Sequence, residues 1–265
     1  MPRYESRSVV GVGGNMREVT AVILENKKIA DEVFSLTFAT EEEISIKAGQ
    51  FCMIGIGGHA LRRPIAVCKA EGGRITVCYR LKGEGTRSLA SDYKAGEKIS
   101  VLLPLGNGFS LTESQKKIVV VGGGVGIFPL ISAIREFSNE KEIYAYMGFR
   151  NRDAVCMESE LQRTEKFVIS TDDGSVGHHG TAVQALMKDW SEIRPDAVLA
   201  CGPAPMLRAL KEAVKGKNVP VYVSLEERMG CGIGACLVCT CNKQDGTRAR
   251  VCKDGPVFEI GEVEL

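Results

Sequence analysis

The chain has 265 residues, of which 44% are hydrophobic and 25% charged, and its 34 basic against 33 acidic residues leave a net charge of +1. That length allows two or three compact cores, the composition excludes disorder as the main state, and the balanced charge offers no footprint for nucleic acid or an anionic membrane surface. Ten cysteines are too few for a small disulfide scaffold and argue for a reducing, cytoplasmic setting. The stretch Met1–Met16 lacks the apolar run of a signal peptide, and no segment approaches the ~18–20 apolar residues of a membrane span, so a soluble protein is expected. His59, His178 and His179 are the only histidines; without a His-Glu-x-x-His pair or a Gly-x-Ser-x-Gly elbow, the zinc and serine hydrolases lack their parts.

Residues 16–111 read as short strands: Thr20–Leu24, Val33–Ala39, Phe51–Ile56, Ile65–Cys68, Arg74–Arg80 and Lys98–Leu103. Turn signals such as Lys47-Ala48-Gly49-Gln50 and Gly72-Gly73 separate them, which predicts a closed antiparallel β-barrel. Residues 116–225 alternate apolar runs with helical periods. Strands are predicted at Ile118–Val121, Ile143–Gly148, Phe167–Ser170, Ala197–Cys201 and Val219–Ser224, with helices ending near Phe137 and covering Thr181–Lys188 and Ala204–Val214. This is the pattern of an α/β domain with an open parallel sheet. Residues 226–265 lose the helical period and hold five of the ten cysteines, so they read as a small cysteine-rich module ending the chain.

Cys231-x4-Cys236-x2-Cys239-x12-Cys252 has the plant-type spacing of [2Fe-2S] ligands. The rival is a structural zinc site, which usually takes two Cys-x2-Cys knuckles where this loop has one. Gly230, Gly232 and Gly234 let the backbone curl its N–H groups toward the sulfurs. Cys241 reads as an unligated neighbour, and Cys52, Cys68, Cys78 and Cys156 as small core residues.

Between a predicted strand and helix, Gly122-Gly123-Gly124-Val125-Gly126 forms a phosphate cradle with the positive end of the helix dipole behind it. Pro129 stands where the dinucleotide fingerprint has its third glycine, so a plain tight turn is the alternative. Cys201-Gly202-Pro203 follows the Ala197–Cys201 strand, at the strand end where open α/β sheets bind ligands.

A nicotinamide delivers two electrons and a [2Fe-2S] cluster carries one, so a flavin is needed between them and the barrel is where to look. Arg63-Pro64-Ile65-Ala66, Cys78-Tyr79-Arg80 and Gly85-Thr86 offer guanidinium groups for a pyrophosphate, a tyrosine face and glycine N–H groups beside a hydroxyl. The plainer reading is surface arginines and a β-turn. A pyrophosphate site favours FAD over FMN. Asp172, with Asp173, follows the Phe167 strand where a carboxylate selects NAD by repelling the 2′-phosphate of NADP.

Arg63-Pro64-Ile65-Ala66, the Gly-Thr pair, the Gly122–Pro129 loop and Cys201-Gly202-Pro203 come in the order of the ferredoxin-NADP reductase-like flavoproteins, which the chain resembles. The ending Glu227-Arg228-Met229-Gly230-Cys231-Gly232-Ile233-Gly234-Ala235-Cys236, with Val251–Phe258, resembles the electron-transfer subunits of NAD-linked dihydroorotate dehydrogenases. The resemblance implies an FAD barrel, an NAD domain and a [2Fe-2S] module. It also implies a separate FMN-containing catalytic subunit as partner in a hetero-oligomer, with electrons running from that FMN through the cluster and FAD to NAD. Where that family usually carries Ser or Thr, this chain has Ala66. The alternatives are a reductase subunit serving a ferredoxin-type or sulfur-reducing partner, and a non-catalytic iron-sulfur or zinc module. Since barrel, nucleotide domain and cluster module occupy nearly the whole chain, it is not expected to oxidise an organic substrate alone, and Ile233, Ala235, Leu237 and Val238 are candidates for a docking face.

Overall fold

Alternating inward apolar positions roll the first segment into a closed antiparallel barrel of six strands, β1 (Arg17–Ala30), β2 (Val33–Ala39), β3 (Phe51–Gly55), β4 (Arg63–Glu71), β5 (Arg74–Arg80) and β6 (Lys98–Leu105). The spatial order is β1-β2-β5-β4-β3-β6, closed by pairing of β1 with β6. The computed structural model describes residues 16–265; apart from Met16, the stretch read for a signal peptide lies outside them. Ile23, Leu36, Phe38, Ile54, Val77 and Val101 fill the barrel. Helix α1 (Glu84–Asp92) begins at Gly83, so Gly85-Thr86 opens a helix where a β-turn was the plainer reading. The Thr86 hydroxyl accepts the Lys82 and Gly83 amides at 2.9 and 3.2 Å, satisfying donors the helix leaves free. Only Gly85 and Leu89 of α1 are buried, too few to print a helical period.

The second segment contributes, in chain order, β7 (Lys117–Gly123), α2 (Ile127–Phe137), β8 (Glu142–Phe149), α3 (Glu158–Leu161), β9 (Lys166–Thr171), β10 (His178–His179), α4 (Ala182–Ile193), β11 (Ala197–Cys201), α5 (Ala204–Ala213) and β12 (Val221–Ser224). Their strands run parallel, β7 and β11 side by side at the centre. Both are covered on two faces, which explains their unbroken apolar runs. The chain winds from β7 through β8 and β9 on one side and returns through β11 and β12 on the other, so the topological switch point lies between β7 and β11.

The tail also joins the sheet. After a hairpin of β13 (Thr240–Asn242) and β14 (Arg248–Arg250), strand β15 (Val257–Glu259) pairs antiparallel with β12, Val223 opposite Phe258, and becomes the seventh strand of the sheet. The cores cross the segments as well. Phe51, Met53 and Leu105 on the outside of the barrel share an apolar cluster with Val223 of the sheet and with Cys239, Cys252 and Phe258 of the tail. Cys68, Cys78 and Phe109 pack into the cluster beneath α2. Beside it, Glu160 of α3 binds Lys69 of β4 at 2.6 Å and Arg135 of α2 at 2.9 Å, while Arg135 reaches Glu71 of β4 at 2.8 Å.

Candidate functional site

The cysteine loop is built around its backbone. Gly232 and Gly234 take φ of +73° and +82°, and Leu237 takes +59°. These left-handed turns, which glycine adopts without strain, direct amides onto sulfur. Cys231 Sγ accepts N–H groups from Ile233, Ala235 and Cys236 at 3.3–3.4 Å, and Cys252 Sγ accepts that of Gly234 at 3.1 Å. Partial burial pushes the Cys231 thiol up, but these amides and the adjoining Cys236 thiol outweigh it and bring it down to about 6. Burial, reinforced by the Cys239 thiol, pushes Cys252 up to about 12. Cys231 lies beside Cys236, and Cys239 Sγ accepts the Cys252 amide at 3.4 Å. Four thiols, three on one glycine-rich loop and one from downstream, are a donor set for iron-sulfur ligation. Cys241 lies on β13, its thiol raised by partial burial. Cys52, Cys68, Cys78 and Cys156 are buried.

The loop sits on the barrel. A Cβ at Gly232 would come within 2.7 Å of Met53 Cγ, and Met53 is the ladder partner of Pro64. The loop therefore rests on β3, one strand from the β4 stretch that carries Arg63 to Ala66. At its outer surface Ile233, Leu237 and Val238 are 44%, 59% and 56% exposed, and Ala235 and Cys236 are exposed with them.

The glycine loop and Cys201-Gly202 meet at the switch point. Gly126 lies against the Cys201 carbonyl, and a Cβ there would stand 2.7 Å from the Gly202 nitrogen; Gly123 faces Met206 in the same way. Gly122 is closed in by Met147 and Ile127, so it serves packing while Gly123 and Gly124 line the cleft. The cleft, about 300 Å³, also takes in Arg80, Gly148, Arg150, Asp172 and Thr181. A larger cavity of about 510 Å³ between the hairpin and β15 is lined by charges of both signs, including Lys243, Arg248, Glu259 and Glu262, and by none of the predicted cofactor residues. Asp173 turns away from the cleft, its carboxylate accepting the Ser175 amide at 2.9 Å. Cys201 is wholly buried, which, with the Glu226 charge nearby, drives its thiol well up. Two residues past β12, the Glu226 carboxyl is raised above its ordinary value by partial withdrawal from solvent, against the pull of Lys82.

The predicted flavin residues divide. Arg63, at the start of β4, lays its guanidinium over the first turn of α1, where a Cβ on Gly85 would strike it, so a positive group, a bare backbone and Thr86 converge. That corner fits a diphosphate. Pro64 is exposed, Ile65 faces the barrel interior, and Ala66 pairs with Phe51. Tyr79 and Arg80 face opposite ways. The Tyr79 ring is inside the barrel, stacked on Phe34 at 5.7 Å with its hydroxyl donating to Asn26 at 3.0 Å, because inward positions of β5 alternate and Tyr79 is one of them. Arg80, one residue on, points outward to Glu32 at 3.6 Å and to the nucleotide cleft. Cys78 is buried against the sheet domain.

A barrel joined to a parallel nucleotide sheet, with a thiol loop against the barrel, is the ferredoxin-NADP reductase-like plan of an oxidoreductase that passes electrons between a pyridine nucleotide and an iron-sulfur centre. The NADH-dependent reduced ferredoxin-NADP oxidoreductase structure superposes with a TM-score of 0.83 at 26% identity, over 96% of this chain and 91% of that one. Phthalate dioxygenase reductase, at 18% identity and a TM-score of 0.64 over 94% and 96% of the two chains, shares the fold. The model for an oxidoreductase NAD-binding domain matches residues 120–212, and that for the iron-sulfur cluster binding domain of dihydroorotate dehydrogenase B matches 226–264. The electron transfer subunit of dihydroorotate dehydrogenase B (NAD(+)) from Bacillus pumilus is 38% identical over 94% of this chain and 99% of its own. That of Streptococcus mutans is 36% identical over 92% and 96%. The chain belongs to this family, the electron transfer subunits of NAD-dependent dihydroorotate dehydrogenase B. No helix among the described residues is long and apolar enough to cross a membrane.

Proposed function

We propose that this chain links an FMN-containing subunit that oxidises dihydroorotate to orotate with NAD, using Cys231, Cys236, Cys239 and Cys252 for the cluster, the Arg63–Ala66 and Gly85–Thr86 corner for FAD, and the Gly123–Gly126, Asp172 and Cys201-Gly202 cleft for NAD. When bound, the flavin exchanges electrons with nicotinamide as a pair and with the cluster singly. The observation that carries the reading is the seat of the cysteine loop: its inner side packs on Met53 beside β4, and its outer side presents Cys236 among the exposed Ile233, Ala235, Leu237 and Val238. One face lies a strand away from β4, and the other offers a partly apolar docking surface for a second redox protein. The chain's residues supply ligands, a diphosphate clamp and a nucleotide cleft, and the dihydroorotate site belongs to the partner. The six cysteines outside the cluster loop, none in a disulfide, suit a reducing, cytoplasmic setting.

The test is to assay dihydroorotate-dependent NAD reduction by the chain alone, by the FMN subunit alone, and by the two mixed. Activity and a stable complex are expected only in the mixture. Turnover by the isolated chain would overturn the division of labour, and a mixture that neither associates nor reduces NAD would overturn the partner. Leu237→Asp should weaken the complex while leaving NADH oxidation with an artificial acceptor intact.

A further inference from the structure

Two adjacent arginines open β4, and their surroundings differ in charge. Arg62 is neutralised: its guanidinium pairs with Glu18 at 2.5 Å and donates to Ser100 Oγ at 2.9 Å. Arg63 makes no ion pair among the described residues; its side chain donates to the Leu61 carbonyl and, at 3.2 Å, contacts Nδ1 of His59. The other ring nitrogen of His59, Nε2, lies 3.3 Å from Ser88 Oγ on α1. Guanidinium has donors and no acceptor, so a hydrogen bond to it requires an unprotonated Nδ1. Nε2 is then the nitrogen left to face Ser88. His59 is thereby a strut between the β3–β4 loop and α1. It holds a cation in place without the negative charge that a carboxylate in the same position would bring. The loop that carries it is anchored independently, the His59 amide donating to Ile56 at 3.1 Å and the Gly57 amide to the Tyr93 hydroxyl at 2.7 Å.

We propose that His59, braced by Ser88, is a positioning residue for the FAD diphosphate: it fixes the unpaired Arg63 guanidinium over Gly85 so that the charge is already placed when the dinucleotide binds. The proposal rests on the reading that the Arg63–Gly85 corner holds that diphosphate. Preorganising the guanidinium removes an ordering penalty from binding. His59 acts through Arg63, and its removal releases the arginine to other rotamers or to the solvent.

The experiment is titration of the flavin-stripped full chain with FAD, followed by flavin fluorescence, with the cluster absorbance checking that each variant is otherwise folded. Arg63→Ala is expected to weaken FAD strongly, and His59→Ala about tenfold, the loss of one charge-assisted hydrogen bond. His59→Gln should recover most of the affinity, because its amide oxygen can accept from Arg63 and its NH₂ can donate to Ser88. In the Arg63→Ala background His59→Ala should change nothing further. Wild-type affinity in His59→Ala, no recovery in His59→Gln, or a full additional tenfold loss in the double variant would overturn the role of His59. If Arg63→Ala itself binds FAD normally, the diphosphate is elsewhere and the underlying reading falls, an outcome separate from the others.

Discussion

Two of the junctions that hold the three segments together are made differently. Between sheet and tail the join is a β-ladder, β12 to β15, backed by an apolar cluster in which Phe258, Cys239 and Cys252 pack with Val223 and with Met53 of the barrel. Between barrel and sheet, the apolar packing under α2 is flanked by partly exposed ion pairs among Lys69, Glu71, Arg135 and Glu160, and the nucleotide cleft opens along this junction. The contrast follows the work of each. Electron transfer needs the thiol loop at a fixed distance from the flavin strand, and a ladder with a dry core gives one arrangement. A cleft that admits and releases a nucleotide is better served by polar contacts that re-form in water.

The largest effect should come from the ligands that pin the tail. Cys252→Ser is expected to abolish or strongly shift the visible and paramagnetic signals of the cluster, because an alkoxide replaces the thiolate that iron prefers, while Cys241→Ser should leave them unchanged. Loss of the cluster in both variants would reassign the ligands. Next is the ladder: Phe258→Ala removes a side chain that is 7% exposed from the shared core and should lower stability by about 3 kcal/mol in thermal unfolding, with cluster content falling alongside. If stability fell while cluster content at working temperature did not, the tail and sheet would be less coupled than the shared core indicates.

Two smaller effects sharpen the cleft side. Asp172→Asn should raise kcat/KM for NADPH relative to NADH by about tenfold, since the carboxylate that repels a 2′-phosphate is gone. Equal preference in the parent chain would remove Asp172 from specificity and leave Arg150, on the same cleft, as the residue to examine. Glu160→Gln should destabilise by about 1–2 kcal/mol at neutral pH. Burial raises the Glu160 carboxyl, but Lys69 and Arg135 outweigh it and hold it below its ordinary value. A depressed folded-state pKa gives stability that is fully present above the unfolded-state value, about 4.3, and lost as pH falls through the folded one. The gap in melting temperature between wild type and Glu160→Gln should therefore close on acidification from pH 6 to pH 3. A gap that persists would mean that Glu160 acts through packing.

What this sequence determined by itself is local. The four-cysteine pattern is legible because three of the four lie within nine residues, and glycine at 232 and 234 is what a sulfur-facing backbone with positive φ requires. The strand-to-loop-to-helix run at Gly122–Phe137 was legible for the same reason, since a buried parallel strand and a helix carry distinct periods. The tertiary structure alone decided what depends on residues far apart. Strand β15 has three residues, too few for a pattern, and it exists because the free edge of β12 is there to pair with. Tyr79 and Arg80 are adjacent in sequence, yet one fills the barrel and the other reaches the nucleotide cleft, because neighbouring strand residues face opposite sides of a sheet whose surroundings the sequence does not name. His59 shows no motif, and it meets Arg63 and Ser88 only because the β3–β4 loop folds over α1, a placement set by closure of the barrel.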